Sequence, residues 1–240
     1  MSQKKTPART IPKGARAADP VPVRRDPAGF DDIRKSSIEA LSRLHRAREI
    51  GLQASRKAIQ LSSQAIRAAH RGEYDAARAL CREAGDTLSM ASAEIASEPS
   101  MRYSGFMTDG EKEYAEAAIT LAFVSGSRIP APTELGIGCP AFLNGLAEGA
   151  SELRRSALDA IRHGSPERAD ELLTLMDEAM GVVETMDFPE AVTGGLRRTT
   201  DALRSVVERT RGDVTAALRQ QTLEARLKAV EAKLGRTKTT

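Results

Sequence analysis

The sequence predicts an all-α protein, a bundle of about seven long antiparallel helices. Three observations carry that expectation. Apolar residues recur at three- and four-residue spacing over long stretches. Prolines and glycines punctuate the chain at helix-length intervals. No alternating strand pattern or Asn-Gly hairpin signal occurs between them.

The elements follow in order. Residues 1–28 are rich in Pro, Ala and Arg without apolar periodicity, and read as a disordered basic tail. From Phe30, the stripe Ile33, Leu41, Leu44, Ala47, Ala58, Ile59 and Ile66 predicts one helix of about ten turns up to Gly72. A second helix spans Asp75 to Ser97, stopped by Pro99. Thr108-Asp109-Gly110-Glu111 matches a capping box opening a third helix that ends near Val124, before Ser125-Gly126-Ser127. The loop RIPAPTELGIG leads to Pro140, in the first turn of a fourth helix ending near Gly164. Pro166 opens a fifth, which stops before Pro189. A sixth runs from Ala191 to Arg211 and a polar seventh from Asp213 to Leu234. Leu223, Leu227, Val230 and Leu234 form a short heptad seam on this last helix, for docking on the body or for contact with another copy.

Composition removes several classes. The 240 residues are 40% hydrophobic and 29% charged, enough for a real core and against wholesale disorder. No apolar run reaches the roughly 18 residues of a membrane span, and no apolar segment follows the basic N-terminus as in a secretory signal. Cys81 and Cys139 have no paired spacing, which argues against a zinc cluster or disulfide scaffold and fits a cytoplasmic protein. Aromatic residues, 3% of the chain, are too few for a base-stacking sheet. His45, His70 and His163 suggest no nucleophilic triad, and GGLRR at 194–198 follows no strand, so it is not a phosphate loop.

Charge is distributed unevenly. Residues 1–28 hold seven Lys/Arg against two acids and residues 204–240 nine against four, leaving an acidic body between. Basic ends on an acidic body suit the gathering of a polyanion. Across 34–71, nine Lys/Arg face two acids, and Lys35, Arg43, Arg46, Lys57 and Arg71 share one side of the helix. A phosphate backbone is the partner such a face suggests, and Arg43, Arg46, Lys57 and Arg71 are its candidate RNA contacts.

Four carboxylates stand out. Glu113 and Glu116 are three apart on the third helix, and Glu148 and Glu152 four apart on the fourth, so each pair points one way. Glu113 and Glu116 enter the apolar segment AEAAITLAFV, while Gly145 and Gly149 beside the second pair leave room for a close helix. No cation is evident in either pair. Face to face, the two pairs would repel unless a hard cation, Mg²⁺ or Mn²⁺, neutralised them.

The segments AIRAAHRGEYDAAR (65–78), EYAEA (113–117), PTELGI (132–137), FLNGLAEGASELRR (142–155) and LRRTTDALRSVVERTRGDV (196–214) resemble, in order, the translin and translin-associated factor X family in its archaeal form. The basic tail and a C-terminal helical extension over 219–240 are not implied by the resemblance, which covers about residues 33–218. The resemblance implies a helical domain, taken as 29–218, and a hollow homo-oligomer, usually an octamer. It also implies single-stranded RNA or DNA bound on an inner basic surface. In the factor X branch, a Glu-x-x-Glu pair and an Asp-x-x-x-Glu pair form the metal site of an endoribonuclease. These pairs match Glu113/Glu116 and Glu148/Glu152, with Glu148 where the family has Asp. The expectation is a Mg²⁺- or Mn²⁺-dependent endoribonuclease on single-stranded RNA or single-stranded parts of structured RNA. The alternative is a translin-like assembly that binds nucleic acid without cutting it.

Overall fold

A computed structural model of the chain describes residues 29–237, with side chains as far as Ala232; the basic tail expected at 1–28 lies outside the described residues. These residues form nine helices: α1 (Phe30–His70), α2 (Tyr74–Glu94), α3 (Pro99–Arg102), α4 (Gly105–Ser125), α5 (Pro132–Leu135), α6 (Cys139–Arg162), α7 (Pro166–Glu184), α8 (Glu190–Thr193) and α9 (Leu196–Thr237). Six are long and three are single turns, and no strand occurs among the described residues. Among these residues no helix is long and apolar enough to cross a membrane.

The chain divides into two units, residues 1–41 and 42–240. In the first, Phe30–Leu41 is helical and leaves Phe30, Ile33, Ile38 and Leu41 exposed. The second holds the packed bundle.

Within that bundle α1 buries Ala47, Gly51, Ala54, Ala58, Leu61, Ala65 and Ala68, alternating four and three apart. This seam differs from the expected stripe, since Ile33 and Leu41 are exposed and Leu44, Ile59 and Ile66 only half-buried. The reason is close approach: at Gly51 a Cβ would stand 2.6 Å from the Phe106 ring of α4. Small residues let helix axes draw together, and the length of the seam offsets the small area buried at each step. Gly72, at φ +77°, ends α1 in the left-handed region, and α2 folds back after a three-residue turn.

α4 begins a turn earlier than the capping-box reading. Ser104 is its N-cap residue, and the Thr108 hydroxyl donates to the Ser104 carbonyl at 3.3 Å instead of capping anything. The added turn places fully buried Met107 against Ala58, Leu61 and Leu88, and that burial favours extending the helix upstream. Glu111 forms a buried ion pair with Arg102 at 2.8 Å.

α6 is the middle helix, packed on α4, α7 and α9. The Asn144 amide donates at 2.9 Å to the carbonyls of Pro140 and Thr193, and its oxygen accepts from Thr199 at 2.7 Å. This buried network fixes the start of α6 to α8 and α9. The sixth and seventh helices expected from sequence are one, α9, which passes through Gly212 without a break. Arg154 of α6 supports the join, reaching Asp213 at 2.9 Å and Thr210 at 3.1 Å on either side of that glycine. Leu223, Leu227 and Val230 remain more than half exposed, so the heptad seam does not dock on its own body. Leu234 falls outside the described side chains.

Candidate metal centre

Two glycines of α6 set the geometry. A Cβ at Gly145 would lie 2.6 Å from Ala115 Cβ, 2.8 Å from the Lys112 carbonyl and 2.9 Å from the Glu116 amide nitrogen. At Gly149 it would lie 3.2 Å from the Glu116 carbonyl. The α4 backbone therefore rests on the glycine face of α6, and the glutamates beside those positions are carried toward one another.

Glu113, Glu116 and Glu148 each offer a carboxylate oxygen, all within 4.8 Å of one another. Glu152 does not join this trio. Its Oε2 lies 2.9 Å from His70 Nε2, and Ser156 Oγ lies 3.3 Å from Nδ1 of the same ring. With the proton on Nε2, the imidazole donates to Glu152 while the Ser156 hydroxyl donates to Nδ1. The His70 side chain is 2% exposed, so the end of α1 holds Glu152 from within the protein.

Electrostatics set the carboxyls apart. Burial, then the charges of Glu113, Glu148 and Glu152, push the Glu116 carboxyl up to about 8, against a weaker opposing effect of Lys112. The hydrogen bond from His70 holds Glu152 below the usual carboxylate range, although burial opposes it. Lys112 breaks the expectation that no cation stands here: its Nζ lies 3.0 and 2.9 Å from the two Glu148 oxygens and 3.4 Å from Glu113 Oε1. Burial alone would lower the Lys112 ammonium, but its bond and attraction to Glu148, with help from Glu113, raise it.

Two of these groups were missed in the sequence. Lys112 had a local signal, because it lies four residues before Glu116 and only about 40° around the helix from it. His70 had none, since 82 residues separate it from Glu152.

The basic stripe is largely engaged. Arg43 meets Glu98 at 3.4 Å, Lys57 meets Glu83 at 2.7 Å, and Arg71 meets Glu73 at 2.6 Å. Arg46 is exposed and has no ion-pair partner among the described residues. A groove along α6 is lined by Glu152, Arg154, Arg155, Leu158, Asp159 and Arg162, in which Arg162 meets Asp159 at 3.4 Å and Arg154 meets Asp213 at 2.9 Å.

No family model matches the chain. It is similar to an uncharacterized protein of Methanocaldococcus jannaschii, 27% identical over 128 residues, which are 53% of this chain and 57% of that one. The chain thus spans a little over half the length of this relative. Among solved structures, archaeal AfC3PO in a complex with duplex RNA superposes with a TM-score of 0.73 at 27% identity, over 79% of this chain and 98% of that one. AfC3PO in another crystal structure gives 0.72 at 27% identity, over 79% and 99%. Fungal apo-NeC3PO gives 0.67 at 19% identity, over 83% and 100%, a likeness of fold.

Proposed function

From a chain that belongs with the translin-family proteins, as its likeness to the C3PO structures shows, we propose an RNA-binding protein that works as a metal-dependent endoribonuclease in a homo-oligomer. The observation that carries this reading is the convergence of Glu113, Glu116 and Glu148 across the α4–α6 contact. Its RNA-binding half is supported by the likeness to AfC3PO, which was solved with duplex RNA. The groove leading from Glu152 past Arg155 and Arg162 is a path for a phosphate backbone beside the acids.

The residues fit a hard divalent cation. Three carboxylate oxygens within 4.8 Å form an all-oxygen donor set, the kind that suits Mg²⁺ or Mn²⁺. Burial first, and then the charges of Glu113, Glu148 and Glu152, raise the Glu116 carboxyl to about 8. Glu113, Glu116 and Glu148 would hold the ion, with Glu152 held beside them by His70. A divalent cation at such a site activates water and stabilises charge on a scissile phosphodiester. The chain's own residues do the remaining work. The glycine face of α6 fixes the spacing of the acids, and His70 with Ser156 keeps the Glu152 carboxylate ionised and oriented. Arg155, which lines the groove and has no ion-pair partner among the described residues, offers a cation to the phosphate backbone beside the acids. Single-stranded RNA, or single-stranded parts of structured RNA, lets a phosphate approach these acids without an intact duplex in the way.

A second reading, binding without hydrolysis, has its own observation in Lys112, whose ammonium already satisfies Glu148 and touches Glu113. Labelled RNA incubated with and without Mg²⁺ or Mn²⁺ separates the two. For the nuclease, Glu116→Gln should lower cleavage by roughly two orders of magnitude while RNA binding is kept, because the amide keeps size but loses charge. Equal cutting by wild type and variant at every metal concentration would leave only the binding protein.

A further inference from the structure

We propose that Lys112 is a built-in competitor for the divalent cation: its ammonium pairs with carboxylates of the candidate site and must leave Glu148 and Glu113 for the ion to bind. The proposal rests on the metal-site reading above and adds a device that sets how readily the site loads.

Geometry carries it. Lys112 Nζ is within 3.0 Å of both Glu148 oxygens and 3.4 Å from Glu113 Oε1, so one ammonium bridges α4 and α6 across two members of the trio. Those same carboxylates are the ones gathered within 4.8 Å. An ammonium and a divalent ion on shared oxygens repel strongly at such range, so each excludes the other. Without an internal cation, three glutamates forced together by the glycine contact would push α4 from α6. Lys112 supplies that cation and helps keep the helices seated. Its side chain is 26% exposed, which leaves a way out to solvent. Its position suits the exchange, because the long stem allows the head to swing while the α4 backbone stays packed.

Displacement also leaves the site's charge better matched. With the three carboxylates ionised, the ammonium leaves two negative charges, whereas a divalent ion in its place leaves one. The cost of removing Lys112 falls on metal affinity, so the resting protein should load only above a threshold concentration.

The test is Mn²⁺ binding to full-length protein without RNA, read by the spectroscopic signal of free Mn²⁺, so no catalysis enters. Lys112→Met keeps the stem and removes the charge, and should tighten binding by about tenfold, the equivalent of one half-buried ion pair no longer broken. Lys112→Arg keeps a cation and should stay within about threefold of wild type. A second readout needs no variant: acylation of Lys112 by a soluble active ester, measured by mass spectrometry, should rise several-fold when Mn²⁺ is added. Acylation of Lys57, paired with Glu83 elsewhere, should not change. Unchanged or weaker binding by Lys112→Met, or Lys112 acylation indifferent to Mn²⁺, overturns the competitor role while wild-type binding still supports the site. Wild-type protein that binds Mn²⁺ no better than Glu116→Gln overturns the site and this inference together.

Discussion

Glu116 bears the largest electrostatic load among the site's acids. Its carboxyl, ordinarily near 4.5, is pushed up to about 8 by burial and by three neighbouring carboxylates. A folded-state value above the unfolded one means that the native state holds the extra proton. Its stabilising contribution is complete below about 4.5 and is lost as pH rises through about 8. Glu152 has the opposite sign, since the His70 bond lowers it, and its effect falls at acid pH outside that window. With a chelator present, the protein should therefore lose about 1–3 kcal/mol between pH 5 and 8.5, after discounting for partial solvent screening. Glu116→Gln should flatten the slope, and Mg²⁺ should restore stability at the alkaline end. Thermal melts across that range check it; identical slopes in wild type and variant would assign the pH dependence to other groups.

Single glycines decide how the elements meet. Gly145 and Gly149 bring the α4 backbone onto α6, and Gly212 lies in the exposed interior of α9 with open space where a Cβ would point. The same substitution should therefore act in opposite directions. Gly145→Ala forces a Cβ onto the Lys112 carbonyl and the Glu116 amide nitrogen, both backbone, so the helices must separate. It should cost about 1–3 kcal/mol and weaken divalent-ion binding, because the acids move apart with the helices. Gly212→Ala should stabilise by about 0.5–1 kcal/mol through better helix propensity. Denaturant unfolding of both variants, with a Mn²⁺ titration of the first, measures this. A neutral Gly145→Ala that still binds the ion would mean the close contact is not what gathers the glutamates.

For the whole molecule, the uneven charge of the sequence becomes a question of which cations are free. Arg43, Lys57 and Arg71 have acidic neighbours on the surface, whereas Arg46 has none among the described residues. Exposed pairs of this kind are weak and can be exchanged for phosphate, but each exchange gives back the pair. Arg46→Ala should therefore reduce RNA affinity more than the same change at Arg43, Lys57 or Arg71, and flatten the salt dependence by about 0.7 log unit for one lost single-strand contact. Lys57→Ala should do less. Binding isotherms over a range of salt decide between them, and an unchanged slope in Arg46→Ala would remove this face of α1 from the RNA path.

Much was determined by the sequence alone, because helices are local. Pro140 and Pro166 at first turns and Gly126 after α4 each act within a turn or two of chain. The two glutamate pairs were legible for the same reason, as were the glycines that make room for them. The seam that α1 buries, Ala47 to Ala68, departed from the expected stripe because close approach of α4 selected its small residues. Where local rules competed with burial, burial won. The Thr108 capping box lost to the docking of Met107, and the break expected at Gly212 lost to the packing of α9 along α6 and α7. What only the tertiary structure decided is non-local. It seats the Lys112 ammonium between two helices, brings His70 to Glu152 from 82 residues away, and keeps Glu152 apart from the other three acids. Periodicity fixes the direction of a side chain around its own helix, but which charges meet is set by the distance between helix axes, and here two glycines set that distance.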